Sequence, residues 1–338
     1  MYKNHTAVIL VNVGTPDSPT VKGVRRFLTQ FLNDPRVITL PPLLRFLLVN
    51  TIIIPFRKRK STKLYQQLWT TKGSPIAVYG KQLIRKLQTK QIADTEFYFA
   101  MRYGNPNLKE ILEEIQLKKY NSIVILPLFP QYASSTTGTI AEFVLNHVKH
   151  WTIIPNLQLI THFFEQNSFI EALSKKIKEE NRGHYEHIIF SFHGLPISHI
   201  TKENKVCKNN DCLCQKKFPN DGFNCYKASC YETARLLAKK LELPESKYTV
   251  SFQSRLSKNW LQPFTEDIIL ENTKKGIKRL MIVAPAFVAD CLETTIELGI
   301  EYKELFLEYG GTDFKLVDCL NDDNYWVDSI IKIIGKNT

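Results

Sequence analysis

Eight short apolar runs, most of them rich in β-branched residues, constrain this chain more than any other feature. They read AVILVNVG (7–14), FYFAMRYG (97–104), SIVILPLFP (122–130), LQLITHFF (157–164), HIIFSFHG (187–194), TVSFQS (249–254), RLMIVAPAFV (279–288) and FKLVDCL (314–320). Amphipathic helical patterns lie between them, such as NLKEILEEIQLKKY (107–120) and CYETARLLAKKLEL (230–243). A strand that is apolar on both faces must be covered on both faces. Strands alternating with helices meet that need as βαβ units on a parallel sheet. The length of 338 residues allows about two such domains, and the runs divide near HWTIIPNLQLI (150–160). The expected fold is α/β: two doubly wound parallel-sheet domains, 1–155 and 156–338, with a cleft between them. Ligands in such sheets bind beyond the carboxyl ends of the strands, so the residues just after each run carry the functional reading.

Several classes are disfavoured. Neither G-x-G-x-x-G nor G-x-x-x-x-G-K-[ST] occurs, which argues against a nucleotide cofactor. The 45 basic against 33 acidic residues give +12 and favour an anionic partner or a solvated basic surface. No nucleic-acid-binding signature accompanies that charge. No apolar run reaches the ~18 residues of a membrane-spanning helix. The start MYKNHTAVILVNVG shows no export pattern, so a cytoplasmic location with reduced thiols is expected. One segment departs from the alternation: LPPLLRFLLVNTIIIPFRKRK (40–60) is strongly apolar and ends in four basic residues, Arg57 to Lys60. That combination suits either a membrane surface or a core helix with a solvated end.

The strand ends hold the candidate chemistry. His193 directly follows the run 187–192, with Gly194 allowing close approach. Imidazole titrates near neutrality and takes a proton or a metal. After the run 279–288, Asp290 and Glu293 stand where a helix is predicted to begin. Glu293, Glu297 and Glu301 then recur at i, i+4 and i+8 on one face. Like charges so spaced repel, and a passing divalent cation relieves them. A solvated acidic face is the plainer account of the same row. Other strand ends offer Arg102 in MRYGNP, Tyr132 and Ser134 in PQYASSTTG, and Gln253, Arg255 and Trp260 in QSRLSKNW. Aromatics, hydroxyls and arginine together suit a flat, largely apolar ligand with anionic ends.

Five of the seven cysteines fall in VCKNNDCLCQKKFPNDGFNCYKASC (206–230): Cys207, Cys212, Cys214, Cys225 and Cys230. In a reducing compartment such clustering points to a metal rather than to disulfides. Zinc takes four thiolates at similar spacings, and so does a [2Fe-2S] cluster. A polar segment without an apolar core needs such a staple.

The ordered set LVNVGTP, FLNDPRVITLP, GSPI, MRYGNP, PQYASSTTG, SFHGLP, QSR and DCLET resembles the protoporphyrin ferrochelatases over nearly the whole chain. The resemblance implies two Rossmann-like domains and insertion of Fe²⁺ into protoporphyrin IX without a nucleotide. It makes His193 and Glu293 the catalytic and iron-facing pair, with Glu297 and Glu301 as the acidic row behind them. It assigns Tyr132, Ser134, Trp260, Phe287 and Asp290 to the porphyrin pocket and Arg102 to a propionate. It makes 40–60 an apolar lip with peripheral membrane contact, and 206–230 an insertion. Some members hold a [2Fe-2S] cluster there, which implies Cys207, Cys212 and Cys214 with Cys225, or alternatively Cys230, as ligands. The alternatives are another tetrapyrrole chelatase, taking coproporphyrin or cobalt, and an Fe-S redox sensor, which would use the cysteines but leave His193 and the Glu row unexplained. Val13 stands where other members carry Tyr or Met, and Ala286 where many have Gly.

Overall fold

The computed structural model describes residues 5–181, 184–201, 212–220 and 222–335. These form two compact units. The first runs to Phe129 and resumes over Ala133–Thr161. Its elements in chain order are β1 (Thr6–Gly14), α1 (Val21–Leu32), α2 (Pro42–Leu47), α3 (Ile54–Leu68), α4 (Pro75–Thr89), β2 (Thr95–Tyr103), α5 (Leu108–Lys118), β3 (Ser122–Pro127), α6 (Thr139–Val148) and β4 (Asn156–Leu159). The strands pair in the order β2-β1-β3-β4, all parallel. Ala7 to Val11 are fully buried on both faces of the sheet, as an all-parallel sheet requires. Ile9, Val11, Ile123 and Ile125 pack under Leu112 and Ile115 of α5 and Ile140 and Val144 of α6.

The second unit takes Pro130–Tyr132 and the chain from His162 onward. It contains α7 (Asn167–Glu180), β5 (His187–His193), α8 (Ile197–Thr201), α9 (Tyr226–Leu241), β6 (Tyr248–Gln253), α10 (Thr265–Lys274), β7 (Arg279–Val283), α11 (Tyr302–Glu308), β8 (Asp313–Leu316) and α12 (Asn324–Gly335). Its parallel order, β6-β5-β7-β8, repeats that of the first unit. Ile189, Leu280 and Ile282 pack under Ile269 of α10 and Phe306 of α11. In each unit the chain leaves the central strand for one neighbour and later returns on its other side. This reversal makes β1/β3 and β5/β7 the switch points at which such sheets bind ligands.

The eight predicted strands and the α/β class are therefore present. Several strands end before their apolar runs do: β3 at Pro127, β4 at Leu159, β7 at Val283 and β8 at Leu316. The residues beyond them, such as Leu128, Phe163, Val288 and Leu320, stay buried. Burial rather than pairing keeps them apolar, and sequence alone does not separate the two.

Two local features differ from expectation. The helix predicted from Cys230 begins at Tyr226, one turn earlier, because Ala228, Ser229 and Cys230 all pack inward. The cysteine-bearing segment also has an apolar anchor of its own. Phe218 and Phe223 lie 5.1 Å apart, centroid to centroid, and both pack 5.9 Å from Phe164.

Gly14 closes β1 at φ +123°, and a Cβ there would meet the carbonyl oxygen of Tyr103 at 1.8 Å. The end of β1 thus lies against the end of β2 with no room for a side chain. Gly14→Ala is expected to cost about 2–5 kcal/mol, combining backbone strain with overpacking. Urea unfolding of the variant measures it, and a loss below about 1 kcal/mol would contradict this reading.

Candidate active site

The second unit brings several of the sequence-identified residues to one switch point. His193 is the last residue of β5 and Gln253 the last of β6, and they are register partners. Gly194 follows His193 so closely that a Cβ would meet the Gln253 carbonyl oxygen at 2.7 Å. The half-buried imidazole donates from Nδ1 to the Gly194 carbonyl at 2.6 Å. That bond leaves Nε2 as the acceptor nitrogen. Two rings flank the imidazole, Trp260 at 6.5 Å and Phe287 at 6.2 Å between centroids. The loop bearing Trp260 is tied to the loop after β5, where Leu261 N–H donates to Leu195 O and Ile197 N–H to Asn259 O.

The acidic row lies beyond β7, on the other side of β5. The run Glu293–Glu301 is a π-helix where the spacing predicts an α-helix. A π-turn closes i→i+5 and is frequently found at functional sites. Gln253 couples the two sides: its side-chain amide donates to the Glu293 carbonyl at 3.2 Å, and its own oxygen accepts from Ser191 at 2.7 Å. Gln253 and Ser191 are fully buried, so these bonds are costly to lose.

Glu297 is the most constrained acid. Its carboxylate accepts from Ser254 N–H at 2.7 Å, from the Ser254 hydroxyl, and from Tyr302 OH at 3.2 Å. Ser254 takes φ +62°, which lets its amide and hydroxyl face the same carboxylate. Burial pushes the Glu297 carboxyl upward, while Ser254 and the neighbouring His193 pull it down and Glu293 adds to the rise. Glu301, the third acid of the row, is exposed. Ser254 and Tyr302 were not singled out by sequence. The only available signal was the position of Ser254 immediately after a strand.

The remaining predicted residues sit elsewhere. Asp290 spends both carboxylate oxygens on the chain after β8, accepting from Cys319 N–H at 3.1 Å and from the Asn321 amide at 2.6 Å. It acts there as a clamp. Tyr132 is half-buried in the second unit, with no hydrogen bond to His193 or Glu293 among the described residues. Arg102 and Ser134 belong to the first unit. Arg102 bonds Asp34 at 2.9 Å and Thr139 at 3.0 Å, and its guanidinium lies 4.5 Å from the Phe143 ring. Ser134 accepts from Arg36 at 2.9 Å. A cavity of about 690 Å³ opens beside Arg102, lined also by Arg45, Lys109, Asp34, Phe46 and Phe143.

Cys207 lies outside the described residues. Cys212 and Cys214 hold their sulfurs 2.8 Å apart. Cys214, Cys225 and Cys230 are buried. Burial, then the neighbouring Cys212, pushes the Cys214 thiol up, with Cys225 adding to the rise. Among the described residues no three His, Cys, Asp or Glu side chains are arranged as a metal cage.

The family model for ferrochelatase matches residues 5–338. The chain is 41% identical over 333 residues to the ferrochelatase of Legionella pneumophila (strain Paris), covering 97% of this chain and 98% of that one. It is 39% identical over 340 residues to that of Coxiella burnetii (strain Dugway 5J108-111), covering 99% and 94%. The chain belongs to the ferrochelatase family. It is accordingly a metal chelatase, of the lyase class. Among solved structures, SirB from Bacillus subtilis with Fe³⁺ aligns at TM-score 0.55 and 12% identity over 98% of this chain and 95% of that one. A SirB from Bacillus subtilis subspecies spizizenii in complex with cobalt aligns at 0.53 and 9%, again over 98% and 95%. At such identity these show a shared fold.

Ser254→Ala removes a donor to the Glu297 carboxylate of this ferrochelatase while keeping the amide. Its carboxyl then rises further above the usual range. A folded-state carboxyl pKa above the unfolded one costs stability once pH rises past the unfolded value. The variant's stability deficit is therefore expected to be small near about pH 3 and to grow to about 1.5–3 kcal/mol by about pH 7. Urea unfolding across pH tests the sign, and a deficit that shrinks with rising pH would contradict it.

Proposed function

We propose that the chain inserts ferrous iron into protoporphyrin IX, with His193 accepting pyrrole protons and Glu293 and Glu297 serving the path of the metal or the departing protons. The observation that carries this reading is the placement of His193 at the end of β5, with the π-helical run bearing Glu293 and Glu297 beyond the adjacent β7. Insertion exchanges two pyrrole N–H protons for one Fe²⁺, so the porphyrin-bound product carries no added charge at the ring. The site needs a proton acceptor and oxygen ligands that release a hard or borderline cation. The Nε2 of His193, left free by the Nδ1 bond to Gly194, supplies the first. Glu297, opposed in its ionisation by burial and sustained by Ser254, supplies a carboxylate. Trp260 and Phe287 beside the imidazole suit a flat apolar ring. Separate acid and base positions matter because a bound cation repels a departing proton.

Protoporphyrin is preferred to coproporphyrin on the apolar character of the lip. Leu43, Leu44, Phe46, Leu47, Ile52 and Phe56 are all exposed, Phe56 to 80%. Exposed basic residues Arg57, Arg59 and Lys60 follow at once. A patch of this kind marks an interaction surface, and apolar residues beside cations suit an anionic lipid interface. No helix among the described residues is long and apolar enough to cross a membrane. The proposed location is the cytoplasmic face of a membrane, held by this lip. Beside the lip, the cavity lined by Arg102, Arg45 and Lys109 has three cations against one carboxylate, Asp34, and suits an anionic substituent of the substrate.

The thiols are proposed to hold a [2Fe-2S] cluster, with zinc as the alternative. The donor chemistry fits: besides burial, Cys212 and Cys225 raise the Cys214 thiol, and Cys225 and Cys214 raise that of Cys230, and a bound cation reverses that penalty by stabilising thiolates. Cys207, Cys212 and Cys214 would be ligands, with Cys225, or alternatively Cys230, completing the set. Bound there, the group would staple the segment.

In an anaerobic assay with Fe²⁺ and protoporphyrin, loss of porphyrin fluorescence is expected with the wild type. His193→Ala is expected to lower turnover about 10²–10⁴-fold. Near-normal turnover by that variant would remove His193 from the mechanism. The membrane reading has its own test. Phe56→Glu together with Leu43→Glu is expected to abolish co-sedimentation with anionic vesicles while leaving the melting temperature in place, since both side chains are exposed and partition scales with apolar area. Unchanged co-sedimentation would exclude the lip as the contact.

A further inference from the structure

The cysteine-bearing segment reaches the catalytic strand through the side chain of Tyr226. This is the first residue of α9 and directly follows Cys225. Its hydroxyl donates to the main-chain carbonyl of His193 at 2.9 Å. The ring is buried, and because a carbonyl oxygen only accepts, the hydroxyl is the donor of this bond. Cys230 lies one turn further along α9.

The bond acts on a particular peptide unit. The His193 carbonyl and the Gly194 amide belong to one planar group. The carbonyl is held by Tyr226, and the amide donates to the Gln253 carbonyl at 2.8 Å. Two bonds on opposite edges of a rigid plane fix its orientation. Glycine, the residue that follows, has the widest conformational range, so this plane would otherwise be free to tilt. The next carbonyl, that of Gly194, is the one that accepts from His193 Nδ1. Holding the peptide plane therefore holds the imidazole and its tautomer.

The other end of the strut is also braced. Along α9, Thr233 donates to Ser229 O at 2.7 Å and Ser229 to Cys225 O at 3.1 Å. Gln131, from the PQYASSTTG motif, donates to Thr233 at 2.9 Å. Tyr226 thus projects from a fixed helix turn whose flanks are Cys225 and Cys230.

We propose that Tyr226 is a positioning residue for metal insertion: its hydroxyl clamps the His193–Gly194 peptide and ties the imidazole geometry to the helix turn that carries Cys225 and Cys230. The proposal rests on the reading of His193 as the proton acceptor. Loss of the clamp displaces a reacting group while leaving the ligand surfaces intact, which lowers kcat rather than binding.

The test is Tyr226→Phe in the full chain, which keeps the ring and deletes the donor. The expected result is a fall in kcat of about ten-fold with KM for porphyrin within about two-fold, since small misplacements of reacting groups cost one to two orders of magnitude. The ¹H–¹⁵N resonances of the His193 ring, assigned from His193→Ala, are expected to move while those of the other histidines and the melting temperature stay in place. A wild-type kcat overturns the proposal, and so does a fall in kcat with unmoved His193 resonances. The reading of His193 itself fails separately, if His193→Ala retains turnover, and the ring resonances still decide whether Tyr226 sets the imidazole. If the phenylalanine variant does not fold, 3-fluorotyrosine placed at 226 preserves the packing and alters only the strength of the donor. The His193 resonances are expected to shift with it, and their failure to do so overturns the clamp.

Discussion

A parallel sheet buried on both faces leaves its polar chemistry almost nowhere to go but the strand ends. Ala7 to Val11 in β1 and Ile188 to Phe192 in β5 lie under helices on either side. Where polar groups do occur within the second sheet, they are paired: Ser191, Ser251 and Gln253 form one buried network with Thr265 at the start of α10. That network is the physical link between the core and the site. It fixes the amide of Gln253, and Gln253 in turn accepts from the Gly194 amide and donates to the Glu293 carbonyl. The loops that carry His193 and the acidic row therefore inherit the rigidity of the sheet, as precise chemistry requires.

The π-winding of Glu293–Glu301 has a comparable logic. An extra residue per turn costs backbone hydrogen-bond geometry and persists where it is held from outside. Here Gln253 holds its first carbonyl, Ser254 and Tyr302 hold the Glu297 carboxylate, and the Ile296 and Leu298 side chains are buried. The other two π-helical stretches among the described residues are Leu48–Ile53 in the lip and Ser134–Gly138 in the PQYASSTTG motif. All three fall in segments that the sequence marks out as functional.

Fold class, strand positions and the placement of His193 and the Glu row just beyond strands were legible because each depends on short-range pattern. Apolar runs report burial, and a residue just after a run reports the carboxyl edge of a sheet. What was not legible depends on partners distant in the chain. Arg102 is engaged by Asp34, 68 residues away, and Glu297 by Ser254, 43 residues away. Asp290 stands where a pocket acid is expected, yet Asn321, 31 residues on, occupies its carboxylate. The π-helix escaped for another reason: i→i+5 and i→i+4 turns draw on the same side chains, so spacing alone does not distinguish them. The apolar anchor of Phe218 and Phe223 was hidden by the polar residues around them.

On the proposed reading two regions of the chain face metals, and they differ in what they are able to release. His193 and the glutamates offer nitrogen and oxygen to iron, and these ligands exchange it readily. Thiolates bind soft and borderline metals tightly, and a buried thiol set gains most from keeping its ion. A chelatase whose thiols took part in delivery would have to pull iron out of its deepest well at every turnover. On that reading the chain separates the two donor sets and joins them through a neutral hydroxyl, that of Tyr226, which bonds the His193 carbonyl from the helix turn carrying Cys225 and Cys230 but offers no path for a cation. What would pass along that contact is position, so a metal held by the cysteines would act on insertion by holding the imidazole where it is needed.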